Sequence, residues 1–111
     1  MNNKAEPTSY IVVFITAKDP EEAQKIAKAL VKRRQAACVN IVAEMSSHFW
    51  WKDKLDATKE SLIIAKTKES LLPELIKSVK KIHSYSIPEI IALPIVGGSR
   101  DYLEWIDSET I

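Results

Sequence analysis

Glycine and cysteine are scarce in this chain. Its only glycines among 111 residues are the adjacent Gly97 and Gly98, so it cannot supply the separated glycines of a Walker or Rossmann phosphate loop. Its one cysteine, Cys38, cannot form an internal disulfide, which agrees with a reducing compartment. The composition excludes nucleotide binding of those two kinds.

Long apolar runs and a strong net charge are missing as well. The sequence has no run of about 20 apolar residues to span a bilayer, and residues 1–7 lack the apolar core of a signal peptide. A formal net charge of +1 gives the whole chain no electrostatic footprint of a nucleic-acid binder. We therefore expect a cytoplasmic protein with neither a nucleic-acid nor a membrane partner.

The composition that remains is that of one folded domain. A hydrophobic content of 46% over 111 residues is ample for a single core. Residues 1–8 are polar and contain Pro7, so we predict a disordered lead of residues 1–8 and a single domain of residues 9–111.

The domain begins with a strand and a helix. Tyr10–Ala17 is a continuous apolar run rich in Ile and Val, as expected of a strand buried on both faces. Asp19 then offers an N-cap, Pro20 suits the first helical position and Glu22 follows three residues after the cap. These residues predict a helix that begins at Pro20.

A long hairpin is predicted next. From Ala37 the apolar residues alternate with period two, which predicts a second strand that bends at Ser46–Ser47 and continues to Trp51. A turn at residues 52–54 leads to a third strand that runs from Leu55 to Thr67.

The last part of the chain predicts a helix, a strand and a short helix. The second helix begins within Glu69–Leu71 and ends near His83. An apolar fourth strand covers residues 89–96, where a proline indicates an edge position. Residues 101–106 then form a short terminal helix that Ser99 caps.

This order of elements, βαββαβ followed by a short C-terminal helix, predicts the fold class. It is the α+β, ferredoxin-like arrangement, in which two helices cover one face of a four-stranded antiparallel sheet. Right-handed crossovers place both helices on the same face.

Both faces of the predicted sheet are apolar. The first strand presents Ile11, Val13 and Ile15 on one face and Tyr10, Val12 and Phe14 on the other. The helices can cover only one face, and a naked apolar face would make a monomer prone to aggregation. We therefore predict an obligate homo-oligomer that buries the second face.

The polar chemistry of the chain is concentrated between the second helix and the fourth strand. His83, Tyr85 and Glu89 bring an imidazole, a phenol and a carboxylate into one short loop together with two serines. We expect this loop to form one wall of any polar site.

Five segments resemble those of a known family, in order and at its spacings. They are Ala36–Ile41, Trp50–Trp51, Leu62–Thr67, His83–Tyr85 with Pro88–Ile90, and Asp101–Trp105. Over residues 9 to 107 the chain resembles the CutA divalent-cation tolerance proteins. The resemblance implies a ferredoxin-like fold, a tight homotrimer built by sheet packing as in the PII signalling proteins, and a role in tolerance of copper and other divalent cations.

The resemblance also implies site residues. Cys38 and His83 match the cysteine and histidine of the family, and with Glu89 they are the predicted metal ligands. Tyr85, Lys66 and Trp51 match positions of the cleft between subunits, as Glu89 does. Two further ligand positions of copper-binding members are Ile15 and Ile82 in this chain. Because both are apolar, we expect copper or another divalent cation to be bound only weakly.

Structural roles compete with these site assignments. Cys38 is also expected as a small buried hydrophobe, and His83 as a cap at a helix C-terminus. The pair of tryptophans, Trp50 and Trp51, suits a subunit interface.

Two functions follow for the chain, beside a third possibility in which it is a structural trimer whose cleft residues only stabilise the assembly. The leading one is a metal-responsive homotrimer that binds a divalent cation in an intersubunit cleft; the alternative is a PII-like signalling trimer that binds a small molecule or protein, with metal incidental. We do not expect an enzyme, because no motif specific to a reaction class is present. Cys38 with His83 is the only nucleophile and base on offer, and the sequence does not show them near each other. Lys66 with Glu89 could do acid-base work, but an ordinary salt bridge explains this pair as well.

Overall fold

The computed structural model describes residues 8–111. Its elements, in chain order, are β1 (Tyr10–Ala17), α1 (Pro20–Lys32), β2 (Cys38–Trp51), β3 (Lys54–Lys68), a 3-10 turn (Glu69–Leu71), α2 (Leu72–Ile82), β4 (Ile90–Pro94) and α3 (Arg100–Glu109). Except for Thr8, the predicted lead of residues 1–8 lies outside the described residues. Among the helices of residues 8–111, none has the length and apolar character to cross a membrane.

The four strands form one antiparallel sheet in the order β2-β3-β1-β4. Together with the two crossover helices, this order is the ferredoxin-like α+β fold, as predicted. β4 lies at an edge of the sheet, which accommodates Pro94 because a proline has no N–H to donate to a further strand.

The predicted side-chain cap is present at the start of α1 and absent at the start of α3. Asp19 caps α1, because its Oδ1 accepts a 2.8 Å hydrogen bond from the Glu22 N–H and Pro20 occupies the first turn. The predicted side-chain cap of α3 is wrong: Ser99 stands at the cap position, but its hydroxyl makes no capping bond. Its carbonyl instead accepts a 3.0 Å bond from the Leu103 N–H. The helix itself is longer than predicted and ends at Glu109.

The main core lies between the sheet and the inner faces of α1 and α2. It is built from alternate residues of the central strands and from one stripe of each helix. Its fully buried larger members are Val13, Ile15, Ile26, Leu30, Ile63, Leu75 and Val79.

The opposite face of the sheet, which we call the open face, is apolar as well. Phe14 of β1 lies directly between Ile64 of β3 and Ile91 of β4. Ile91 remains 51% exposed, and α1 and α2 lie on the other side. The alternation predicted for β1 is therefore correct, and the described chain leaves part of an apolar face uncovered.

β2 and β3 continue past the sheet as a two-stranded ribbon, which we call the hairpin arm (residues 45–60). The two strands pair with each other there, while β1 pairs with β3 only from Ser61 onward. A register shift between Val42 and Met45 starts the arm, slightly before the predicted bend at Ser46–Ser47. The hydroxyl of Ser61 donates a 2.6 Å bond to the Ala43 carbonyl and so satisfies a backbone acceptor at this irregularity.

A two-residue turn closes the arm. Lys52 and Asp53 both have positive φ, 51° and 65°, between the paired residues Trp51 and Lys54. This is the backbone of a type I′ hairpin turn, which normally carries Asn-Gly. The turn lies where the sequence predicted it.

Candidate functional site

A groove of about 670 Å³ lies between the hairpin arm and the loop that follows α2. Its wall on the arm side comes from both strands of the ribbon, and its other wall comes from residues 85–89. The lining residues are Thr16, Ser47, His48, Phe49, Trp51, Asp56, Thr58, Glu60, Tyr85, Ser86, Ile87 and Glu89. Three of them are carboxylic acids, and no lysine or arginine lines the groove within the described residues.

His83 anchors the loop that forms one wall of the groove. Its imidazole has no solvent exposure, and Nε2 lies 2.6 Å from the Thr16 carbonyl oxygen, which can only accept. Nδ1 lies 3.0 Å from the Tyr85 N–H, which can only donate. The ring is therefore the neutral tautomer with its proton on Nε2, and both nitrogens are occupied.

Glu22 holds the same loop from the side of α1. This carboxylate is 8% exposed and accepts a 3.0 Å bond from the Lys18 N–H and a 2.8 Å bond from the Ser84 N–H. Burial by itself raises the pKa of Glu22, but the hydrogen bonds from Lys18 and Ser84 favour the charged form and leave its pKa below the ordinary value. Glu22 is thus an ionised, buried link between the start of α1 and the loop.

Tyr85 crosses the groove to β3. Its hydroxyl donates a 2.7 Å bond to Oε2 of Glu60, and its ring lies 4.8 Å from the His83 ring, centroid to centroid. Burial, and then the hydrogen bond and negative charge of Glu60, raise the pKa of Tyr85 well above its ordinary value. The phenol therefore stays protonated and remains a donor to Glu60.

The structure brings some of the predicted site residues together. Trp51, Tyr85 and Glu89 all line the groove, and their assignment to a cleft between subunits stays a prediction. Lys66 does not: it lies on the open face, where its ammonium donates to Oδ1 of Asn40 and where it pairs across strands with Cys38.

Cys38 is far from His83 within one chain. Cys38, Lys66 and Val12 stand side by side on three strands, whereas His83 is bonded to Thr16, four residues further along β1. Four residues of strand span about 13 Å. The half-buried thiol has instead Asn40 at 3.9 Å, and Tyr102 lies beside it, where burial and then Cys38 raise the pKa of that phenol.

Comparison with known proteins places the chain in a family. Residues 11–109 match the family model described as CutA1 divalent ion tolerance protein. The chain belongs to the CutA1 divalent ion tolerance family. It is 46% identical to the divalent-cation tolerance protein CutA of Thermus thermophilus over 99 residues, which covers 89% of this chain and 96% of that protein.

Plant members of the CutA1 family are also similar. The chain is 42% identical over 110 residues to the rice protein named CutA 1, chloroplastic, covering 99% of this chain and 62% of that protein. The crystal structure of rice CutA1 superimposes with a TM-score of 0.91 at 44% identity, covering 93% of this chain and 94% of that one. The chain thus spans about three fifths of the length of the plant relatives it matches.

Metal-ligand geometry is incomplete in the single chain of this CutA1 family member. Within residues 8–111 no three His, Cys, Asp or Glu side chains converge so as to hold a metal ion. The assignment of His83, Cys38 and Glu89 as metal ligands therefore stays a prediction, and for His83 it requires that the imidazole give up one of its two hydrogen bonds.

Three residues of this site were not singled out in the sequence: Glu22, Glu60 and Thr16. Glu22 carried a helix-start signal, but its partner Ser84 is 62 positions away. Glu60 lies among the alternating residues of β3 with no local mark of its burial, and Thr16 acts through its backbone carbonyl.

Proposed function

We propose that this chain forms a homotrimeric, metal-responsive divalent-cation tolerance protein that binds copper or another divalent cation weakly in the groove. The observation that carries the proposal is that the charged side chains lining the groove are acidic. Asp56, Glu60 and Glu89 line it together with His48, and no cationic side chain of the described residues lines it. Carboxylate oxygens and imidazole are ligands for divalent metals, and a cleft of one charge sign concentrates counter-ions.

Weak binding follows from the spacing of these donors. No three of them converge within the described chain, so a cation held by one subunit alone keeps most of its water. A second subunit that brings its own donors to the groove would complete the ligand set. Cys38, which lies on the open face, is the natural contributor from a neighbour in such an assembly.

The homotrimer is supported by the apolar surface that the single chain exposes. Ile91 and Leu93 of the open face are half-exposed, and Trp50 and Leu55, which pair directly across the hairpin arm, are 69% and 73% exposed. Apolar surface of this extent is typical of a subunit interface. Packing of open faces from three chains would bury it.

A second candidate function is favoured by the aromatic lining of the groove. Phe49, Trp51 and Tyr85 stand beside the carboxylates, and a volume of about 670 Å³ lies within the range of small-molecule sites. Aromatic faces next to carboxylates suit an organic ammonium ion. A PII-like trimer that binds a small molecule, with metal incidental, would use the same groove.

Calorimetric titration of the purified protein with ZnCl₂ and CuCl₂ tests the leading proposal. We expect binding by the wild type that weakens at least tenfold in Glu60→Gln and in Glu89→Gln. Glu104→Gln, an exposed carboxylate of α3 that does not line the groove, is the matched control and should bind as the wild type does. Cys38→Ser and His83→Ala then test the ligands taken from the family resemblance.

Two outcomes would contradict the metal proposal. Absence of binding by the wild type, or equal binding by all the variants, removes the groove as a metal site. Heat evolved with an organic ammonium salt but with neither metal would favour the second candidate.

We also propose that the protein acts in the cytoplasm and without catalysing a reaction. The single cysteine, which cannot form a disulfide within the chain, supports the first statement, although the rice relative is named chloroplastic. The separation of Cys38 from His83 supports the second, because a nucleophile needs its base within hydrogen-bond reach. Cell fractionation with a tagged chain tests the location, and a screen for turnover of model esters and phosphates tests the absence of catalysis.

A further inference from the structure

We propose that Glu22, which does not line the groove, is a positioning residue that fixes the wall of the groove through the backbone of Ser84. The inference rests on the proposed function, because it concerns the same groove. It assigns to a residue of α1 the task of placing Tyr85 against Glu60.

The first link runs from α1 to the loop. Oε2 of Glu22 accepts the Ser84 N–H at 2.8 Å, and Oε1 accepts the Lys18 N–H at 3.0 Å. Hydrogen bonds to a buried carboxylate are short and strong because one partner is charged. The carboxylate therefore ties two backbone segments that are far apart in the sequence, the end of β1 and the loop after α2.

The second link runs from Ser84 to the groove. The next residue, Tyr85, donates its own N–H to Nδ1 of His83 at 3.0 Å and its hydroxyl to Glu60 at 2.7 Å. Ser84 lies between His83 and Tyr85 in the chain. If its backbone is released, the tyrosine loses the geometry that aims its hydroxyl at Glu60, and the carboxylate of Glu60 in turn loses its fixed position in the groove.

Helix capping alone does not explain Glu22. In a capping box the acid three residues after the cap accepts the N–H of the cap residue itself, which here would be Asp19. Glu22 reaches past Asp19 to Lys18 and across to Ser84 instead. One carboxylate oxygen of Glu22 thus accepts a hydrogen bond from Ser84 that does not stabilise α1.

The isosteric variant Glu22→Gln separates these roles. The amide nitrogen of glutamine is a donor, so it cannot replace the oxygen that faces one of the two backbone N–H groups. Glu21→Gln is the matched control for charge, because Glu21 is exposed in the same turn of α1. Gln24→Gly, at an exposed position in the interior of α1, is the matched control for helix stability, since glycine there weakens a helix without touching the loop.

Amide hydrogen exchange and Zn²⁺ titration are the two measurements. In Glu22→Gln we expect the protection of the Ser84 and Tyr85 amides to fall about tenfold to a hundredfold, the range for losing a hydrogen bond to a charged group. We expect the Zn²⁺ affinity of Glu22→Gln to fall at least about threefold as well. In the control Gln24→Gly we expect lower protection of the α1 amides, but unchanged protection of the Ser84 and Tyr85 amides and unchanged Zn²⁺ affinity. Glu22→Asp, which keeps the charge but withdraws the carboxylate by one methylene, should behave as Glu22→Gln does and replaces it if that variant does not fold.

The outcomes distinguish this proposal from the function it rests on. Unchanged protection of Ser84 and Tyr85 in both Glu22 variants overturns the positioning role, and so does a loss that Gln24→Gly reproduces. Unchanged Zn²⁺ affinity in a variant with a released loop also overturns it. If the wild type binds no Zn²⁺, the metal function fails, and the exchange data alone decide whether Glu22 positions the wall.

Discussion

The hydroxyl of Tyr85 donates a 2.7 Å hydrogen bond to Oε2 of Glu60 and so joins the two walls of the groove. Glu60 is only 9% exposed, and the phenol is its one hydrogen-bond donor among the described side chains. A carboxylate this deeply buried is costly without a donor or a cation. The contact therefore contributes to the stability of the fold and fixes the position of the Glu60 carboxylate in the groove.

Tyr85→Phe should destabilise the protein by about 1–2 kcal/mol, because the nearly buried carboxyl group of Glu60 then loses its hydrogen-bond donor. Urea denaturation at a fixed chain concentration measures the change. The double variant with Glu60→Gln should lose less than the two single variants added together, since the pair is already broken. Strictly additive losses would contradict a direct energetic link between the two side chains.

Acid should remove the contribution of Glu22. Its pKa in the folded protein is lowered from 4.5, so the unfolded state binds its proton first as the pH falls. The stabilisation is fully present above pH 4.5 and is lost as the pH falls through the lower, folded-state pKa. The stability difference between wild type and Glu22→Gln, measured by urea denaturation, should therefore be largest near neutral pH and shrink in acid. A difference of constant size across this range would contradict the shift, and Glu21→Gln is the control for the loss of charge.

Ile91→Lys should dissociate the proposed trimer. Ile91 stands beside Phe14 on the open face, and a lysine there would bring a charge into the proposed interface, which is costly when it has no partner. Val31→Lys is the matched control, because Val31 is 43% exposed on α1 against 51% for Ile91 and lies on the helix side of the sheet. Light scattering at micromolar concentration should give a trimer for the wild type and the control, and a monomer for Ile91→Lys.

The turn of the hairpin arm can be improved. Lys52 and Asp53 both adopt positive φ, which costs free energy for a residue other than glycine, and less for asparagine and aspartate than for lysine. Lys52→Asn combined with Asp53→Gly should therefore raise the free energy of unfolding by about 0.5–1 kcal/mol. Thermal unfolding measures the gain. As a control, Thr58→Gly at an extended position of the same arm should lower the stability. If the turn variant lowers the stability as Thr58→Gly does, the assigned turn type is contradicted.

Local patterns sufficed for most of the fold. The alternation in β1 predicted that Val13 and Phe14 face opposite sides, because successive residues of a strand do so regardless of their surroundings. The start of α1 was equally clear, since Asp19 and Pro20 act within one turn of the helix. Ser99 also predicted a side-chain cap, but its hydroxyl makes no capping bond. A suitable residue at the cap position does not by itself ensure that its hydroxyl bonds there.

The site could be predicted only in part. The loop of His83 and Tyr85 stood out because its polar residues are adjacent in the sequence. The contacts that give it shape did not, because they join Ser84 to Glu22 and Tyr85 to Glu60, which lie 62 and 25 positions away. Such pairings are set by tertiary packing and leave no periodic trace in the sequence.

The hairpin arm should make cation binding in the groove depend on the concentration of the protein. Over residues 45–60 the ribbon has no third strand among the described residues, and a lone two-stranded ribbon is marginally stable in water. Yet this ribbon supplies Trp51 and Asp56 to the groove. In the proposed assembly the ribbon becomes rigid only when chains meet, so dilution to concentrations at which the trimer dissociates should release a bound cation without any change in the concentration of free metal.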